Sequence, residues 1–425
     1  MSMPAAAEPG RTDRSLAQAE WLTTGSVARL LAVLASEGEE ARVVGGAVRN
    51  ALLNEKIAEI DIATTAVPEE VIRRVTAAGF KAVPTGIDHG TVTVVIQGQP
   101  FEVTTLRVDV ETFGRKANVR FGRDWKVDAE RRDFTMNALS ASADGTVYDY
   151  VGGLTDLVAR RVRFIGDPGR RIAEDYLRIL RFFRFHAAYG QGALDVDGLN
   201  ACIAGRGGLE KLSRERIRME LLKLVVARGA QPALAAMTDA GLLVSLLAGV
   251  PLLTNFARMT QIEAALDLPP DAIRGLAALE VSVVEDAERL WQRLRLANAE
   301  HERLVSMADG WWGIEPADEE SAARVLLYRL GQARFLDRVL LAWARSGTAA
   351  DDAQWREFVT LPDRWTAPVF PLKAADFIQR GIEKGPALGE ALRAAEQAWM
   401  AAGFPENAKT LARITDVAVA TSKPS

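Results

Sequence analysis

The sequence predicts an α+β chain: a mixed α/β head of about 165 residues followed by an all-helical remainder. Three observations carry this expectation. From about Trp21 to Phe164, short apolar runs alternate with helical patterns. After Pro168 strand patterns nearly vanish, and Ile172, Tyr176, Ile179 and Phe183 recur at helical spacing. The length of 425 residues exceeds one ordinary domain.

The elements follow in order. The opening stretch MSMPAAAEPGRTDR has no apolar signal core. Residues 1–20 therefore read as a disordered arm. Ser26 to Leu34 reads as an entry helix, and Arg42 to Val44 as a strand ending at Gly45-Gly46. Ala47 to Leu53 is helical, and Ile60 to Ala63 is a second strand. Pro68 with Glu69 and Glu70 behind it marks a helix start, proline first and acids in the first turn. Thr91 to Ile96 and Phe101 to Leu106 flank Gly98-Gln99-Pro100, a hairpin signal. Further on, helices are expected around Asp286–Arg295, Glu319–Leu330 and Ala387–Met400, with a frayed tail from Thr421. No fixed-period repeat is visible.

Composition excludes several classes. A 48% hydrophobic and 25% charged chain is globular. No apolar run approaches the roughly 18–20 residues that span a bilayer, so a cytoplasmic protein with no membrane partner is expected. The single Cys202 excludes internal disulfides and cysteine zinc clusters. The only histidines, His89, His186 and His301, are too scattered for a histidine metal site. The net charge of −4 argues against a broad nucleic-acid surface. Local charge differs: eight arginines lie between Arg160 and Arg184, opposed only by Asp167, Glu174 and Asp175. Such a patch binds phosphate locally.

Five constellations carry chemistry. In Glu59-Ile60-Asp61, strand alternation puts both acids on the face opposite Ile60 and Ile62. Two adjacent carboxylates repel unless a cation lies between them, and hard oxygens suit Mg2+. Glu102, between Phe101 and Val103, joins them if its strand is a neighbour. Taken singly, each acid is more often a solvated strand position. Gly45-Gly46 let backbone approach a phosphate, and Arg49, one turn on, can clamp a triphosphate; alone, this is an ordinary tight turn. Asp175 and Arg178, three apart on a helix, share a face. A surface ion pair is the plain reading. The sharper one is base recognition: a carboxylate accepts from an exocyclic amine while a guanidinium donates to a ring nitrogen. That selects cytosine and adenine against guanine and uracil. Arg181 and Arg184 continue along nearby faces and can hold phosphates. The Arg131-Arg132 pair opens RRDFTMNAL and is either a surface cluster or a nucleotide contact.

Together these pieces resemble the class II CCA-adding enzyme and bacterial poly(A) polymerase family. The matching stretches are GGAVRN (Gly45 to Asn50), EIDIATTA (Glu59 to Ala66), HGTV (His89 to Val92), FEVTTLR (Phe101 to Arg107), RRDFTMNAL (Arg131 to Leu139) and RFIGDPGRRIAEDYLRILRFFRF (Arg163 to Phe185). SRERIRMELLKL (Ser213 to Leu224) looks like the next helical signature. The resemblance covers residues 40 to 245.

The resemblance implies a polymerase β-type nucleotidyltransferase head over 21–165 and a helical neck that binds nucleotide and RNA over 166–250. A helical body and tail that bind tRNA follow over 251–420. It implies Mg2+ at Glu59 and Asp61, aided by Glu102, and nucleotide contacts from Gly46, Arg49, Arg132, Asp175, Arg178, Arg181 and Arg184. It also implies a loop over Arg107 to Asp128 that adjusts between CTP and ATP. The expected reaction adds CTP and ATP to a tRNA 3′ end without a template and releases pyrophosphate. A poly(A) polymerase, an A-only or C-only enzyme and an inactive RNA-binding relative are the alternatives. The sequence departs from the family at Glu59 and Asn50, where aspartate is usual.

Overall fold

Ala41–Val44, apolar but for the buried Arg42, forms the buried strand β2 in the middle of the first unit's sheet. The computed structural model describes residues 8–113, 116–316 and 320–422. It divides into two units, 1–248 and 249–425.

In the first unit the strands are β1 (Arg11–Ser15), β2, β3 (Asp61–Thr64), β4 (Lys81–Gly86), β5 (Thr91–Ile96), β6 (Gln99–Thr105), β7 (Arg107–Phe113), β8 (Lys116–Phe121), β9 (Ser140–Ala141) and β10 (Thr146–Tyr148). Eight of them make one sheet in the order β1-β10-β9-β2-β3-β6-β5-β4. Among the described residues only β3 and β6 pair in parallel; their connection carries a helix and the β4–β5 hairpin. Such a crossover is what parallel neighbours require. β7 and β8 form a separate antiparallel ribbon. The span expected to be a mobile loop is therefore ribbon followed by helix, with residues 114–115 lying outside the described residues.

The head's helices are α1 (Glu20–Thr23), α2 (Gly25–Leu34), α3 (Gly46–Leu52), α4 (Pro68–Ala77), α5 (Trp125–Glu130) and α6 (Gly153–Val158). α4 begins at its proline, as its sequence predicts, with Val71 and Val75 buried. α2 and α4 pack on each other and on the sheet.

One expectation fails at the N-terminus. Residues 11–15 are not a disordered arm but the edge strand β1, paired with β10. Thr12 donates to the Val147 carbonyl at 2.8 Å. The strand has little apolar side chain to betray it; backbone pairing holds it.

Helices then take over: α7 (Pro168–Glu174), α8 (Leu177–Tyr189), α9 (Val196–Gly205), α10 (Arg214–Val225), α11 (Ala230–Asp239) and α12 (Leu242–Leu247). α8 is the joint. Its Phe182 and Phe185 meet Phe134 and Phe164 of the head, with ring centroids 5.3 Å apart for Phe134–Phe185 and 5.4 Å for Phe164–Phe182. Phe134, Phe164 and Phe182 are essentially inaccessible to solvent. Aromatic burial on this scale fixes α8 against the Phe134 and Phe164 segments of the head.

The second unit is helical from Leu253–Ala265 to Ala408–Ser422. Its long helix Glu320–Ser346 breaks at Gly331, whose φ of 71° leaves the helical region. Phe377, Trp399 and Phe404 centre its terminal core. Arg274 and Arg303 meet Glu263, Asp271 and Asp337 in an ionic cluster whose Arg274, Glu263 and Asp337 are buried.

Candidate functional site

The site begins where β2 ends. Val44 is the last paired residue of β2 and lies opposite Asp61, the first of β3. Gly45 then turns the chain with φ of 70°, a conformation that favours glycine. A Cβ there would meet Arg132 Nη1 at 3.3 Å. β3 starts at Asp61, where its pairing with β2 ends. Glu59 thus precedes the strand instead of sharing its pleat, a correction to the alternation argument.

On its other side Asp61 pairs in register with Glu102 of β6. The sequence left that adjacency open. Burial pushes the Asp61 carboxyl up, and the charges of Glu102 and Glu59 add to this; Arg132 opposes them. The three acids therefore feel one another. They do not converge into a cage: among the described residues no group of three or more His, Cys, Asp or Glu side chains gathers as metal ligands.

Across from them lies a cleft of about 520 Å3. Gly45, Gly46, Arg49, Glu59, Asp61 and Arg132 line its head side, and Asp175, Arg178, Arg181, Arg184, Phe185 and Lys223 its helical side. Nine of the ten candidate residues meet here; Glu102 is not among the lining residues and lies beside Asp61 on the adjoining strand.

The arginines are not free side chains awaiting phosphate. Arg132 holds Asp128 at 3.2 Å. Burial alone would raise the Asp128 carboxyl, but Arg131 and Arg132 outweigh it and hold it below the usual range. Arg181 donates to Asp133 at 2.7 Å and lies 3.6 Å from Glu220. Arg184 donates to the same Glu220. Arg49 is buried and donates to Asn50, Asn137 and Tyr189.

Asp175 and Arg178 also differ from the expected pair. They do not share a continuous helix: α7 ends at Glu174, and Asp175 is extended, with φ of −155°. Its Oδ1 accepts from the Leu177 N–H at 3.1 Å, where α8 starts, and its Oδ2 from Arg216 at 2.6 Å. Arg178 donates to Glu174 at 2.5 Å and to the Arg171 carbonyl at 2.7 Å. A side chain that caps the next helix competes with continuation of its own. Both residues still line one cleft.

Sequence reasoning missed Asp133, Asn137, Phe185, Tyr189, Arg216, Glu220 and Lys223. The signal was present for most: Asp133 and Asn137 lie inside RRDFTMNAL, and Arg216, Glu220 and Lys223 recur along one face of SRERIRMELLKL.

Residues 41–163 match the family described as Poly A polymerase head domain. Residues 199–255 match the one described as Probable RNA and SrmB- binding site of polymerase A. The chain is 33% identical to the mitochondrial CCA tRNA nucleotidyltransferase 1 of Danio rerio over 89% of this chain and 88% of that one. It is 34% identical to the CCA-adding enzyme of Limosilactobacillus fermentum, over 85% and 89%. Among solved structures, the Bacillus stearothermophilus CCA-adding enzyme in complex with CTP superposes with a TM-score of 0.71 at 28% identity, covering 92% of this chain and 96% of that one. With identity and coverage at these levels, the chain belongs to the family of CCA tRNA nucleotidyltransferases, the CCA-adding enzymes.

Proposed function

We propose that this nucleotidyltransferase completes the 3′ end of tRNA with C, C and A, taking CTP and ATP and releasing pyrophosphate without a nucleic-acid template. The observation that supports it best is one juxtaposition. Asp61 and Glu102 stand level on parallel strands beside a cleft whose opposite wall carries Asp175, Arg178, Arg181 and Arg184.

Divalent-metal dependence goes with the nucleotidyltransferase family; magnesium is our choice of ion. The donor set fits it. The ligands are carboxylates only, and Asp61, raised first by burial and then by the charges of Glu102 and Glu59, carries neighbouring negative charge that a dication relieves. We assign Glu59 and Asp61 as its holders, with Glu102 as the neighbouring catalytic acid. Bound there, the metal supplies Lewis acidity to the tRNA 3′ hydroxyl and neutralises triphosphate charge.

The chain's own residues do the rest. Gly46 lets the triphosphate approach backbone closely, and Arg49, Arg132, Arg181 and Arg184 surround it with positive charge. Asp175 accepts from the exocyclic amine of cytosine or adenine while Arg178 donates to the ring nitrogen beside it. Guanine and uracil present a carbonyl at that place and leave the pair mismatched. Selection therefore needs no template. Orientation and electrostatics provide most of the acceleration.

Incubation with Mg2+, each labelled nucleotide and a tRNA lacking its 3′ CCA tests this. A restored CCA end is the expected product. A single added base, a long A tail or no incorporation would each overturn the reading. We place the reaction in the cytoplasm; the animal relatives are mitochondrial by name, and cell fractionation separates the two.

A further inference from the structure

Arg49 stands apart from the other arginines of the cleft. Arg132, Arg178, Arg181 and Arg184 each hold a carboxylate. Among the described residues Arg49 holds none. Its Nε and Nη2 both donate to Asn50 Oδ1, at 3.1 and 2.9 Å. Nη2 also donates to the Tyr189 hydroxyl at 2.8 Å, and Nη1 to Asn137 Oδ1. Its guanidinium carbon sits 3.9 Å from the centre of the Tyr189 ring. Every one of these partners is neutral.

The residue is nevertheless 94% buried, with a relative exposure of 6%. A buried cation normally keeps a counter-ion, because desolvation without one is costly. Asp133 acts on Arg49 only from a distance, and its own carboxylate is taken by Arg181 and Asn137. Four of the five guanidinium N–H donors are committed by these bonds. They fix the group in place without cancelling its charge. One N–H on Nη1 stays open. The group lines the cleft beside Gly46, where a side chain would lie 3.6 Å from Nη2.

We propose that Asn50 is a positioning residue that holds Arg49 as an uncompensated cation, so that the triphosphate of the incoming nucleotide becomes its missing counter-ion. The amide oxygen of Asn50 takes the fork of Arg49 that a carboxylate would otherwise take, and its Nδ2 is anchored on the Lys56 carbonyl at 2.8 Å. Tyr189, at the last turn of α8, completes the cradle from the helical side. The role rests on the nucleotide-binding assignment of Arg49 above and extends it to substrate affinity. Asn50 touches no substrate; it sets how much charge Arg49 presents.

Asn50→Asp is the test, with Asn50→Ser as the neutral control. Binding of inorganic tripolyphosphate to the full chain, without metal, is measured by calorimetry. The aspartate should weaken it ~10-fold by supplying an internal counter-ion. The serine should hold it within about threefold, since the charge is unchanged. In the nucleotide-addition assay, Asn50→Asp should raise KM for CTP and ATP alike and leave kcat and base selectivity nearly intact. Its melting temperature should not fall, because the buried guanidinium gains a partner. Equal tripolyphosphate affinity in wild type and Asn50→Asp, or an equal loss in both variants, would overturn the proposal. Should the wild type add no nucleotides while the binding pattern holds, the proposed reaction fails and the role of Asn50 stands.

Discussion

Asp175 Oδ2 lies 2.6 Å from Arg216 Nη2, so the end of α7 is tied to the first turns of α10. The carboxylate assigned to base reading is thus aimed by a residue on another helix. Arg216→Ala should loosen that aim before it touches the triphosphate. Misincorporation of GTP and UTP relative to CTP and ATP should rise ~10-fold, the worth of one charge-assisted hydrogen bond. Competition assays on tRNA lacking CCA read this directly, and unchanged discrimination would contradict it.

Asp61 is crowded by Glu102 and Glu59. Asp61→Ala should lower nucleotide incorporation by about a thousandfold or more while the fold persists. Asp61→Asn removes one of the repelling charges, so its melting temperature in metal-free buffer should equal or exceed that of wild type. Added Mg2+ should stabilise wild type by mass action and leave Asp61→Asn unmoved. A scanning calorimeter measures both shifts.

Glu220 is a buried carboxylate beside two guanidinia, those of Arg181 and Arg184. Glu220→Ala leaves both without it. Removing one partner from a buried ionic group typically costs about 3–5 kcal/mol. Urea unfolding should register a loss of that order. Glu220→Gln keeps an acceptor and should lose less.

Glu280, in the second unit, has its carboxyl pushed up to about 7 because burial outweighs Arg289. Arg289 donates to Glu280 at 3.0 Å but also to Asp286 at 2.6 Å, and Glu280 Oε2 is buried without a partner. The shared guanidinium explains why its own protonation is favoured while Glu280 remains under-compensated. A carboxyl raised in the folded state favours folding while it is protonated. Its contribution is full below the unfolded value near 4.5 and is lost as pH rises through about 7. Stability of the second unit should therefore decline between pH 5 and 8, by on the order of 2 kcal/mol. Glu280→Gln should flatten that decline. Chemical denaturation across this range provides the comparison.

Much of this arrangement was legible in the sequence. The hairpin signal at Gly98-Gln99-Pro100 located β5 and β6, and proline with two acids located α4. The strand-turn-helix at Gly45 was visible as two glycines after an apolar run. The pairing of Asp61 with Glu102 was not, because register between distant strands is set by the assembled sheet and not by either segment. The break at Asp175 was hidden for another reason. Ile172, Tyr176, Ile179 and Phe183 keep helical spacing straight through it, while the interruption depends on Asp175 capping Leu177 and reaching Arg216. Arginine content told where phosphate chemistry was possible; it could not tell which guanidinium would find a carboxylate. That depended on Asp133 and Glu220 arriving from other elements.

The same-direction pairing of β3 with β6 has a consequence for how such a head can change over time. The chain between them makes a long excursion through α4 and the β4–β5 hairpin before returning. Residues can be gained or lost along that detour at little entropic cost, and the two acids still arrive at the same height. Variation can therefore accumulate on the outer rim of the sheet while the spacing of Asp61 and Glu102 stays constant.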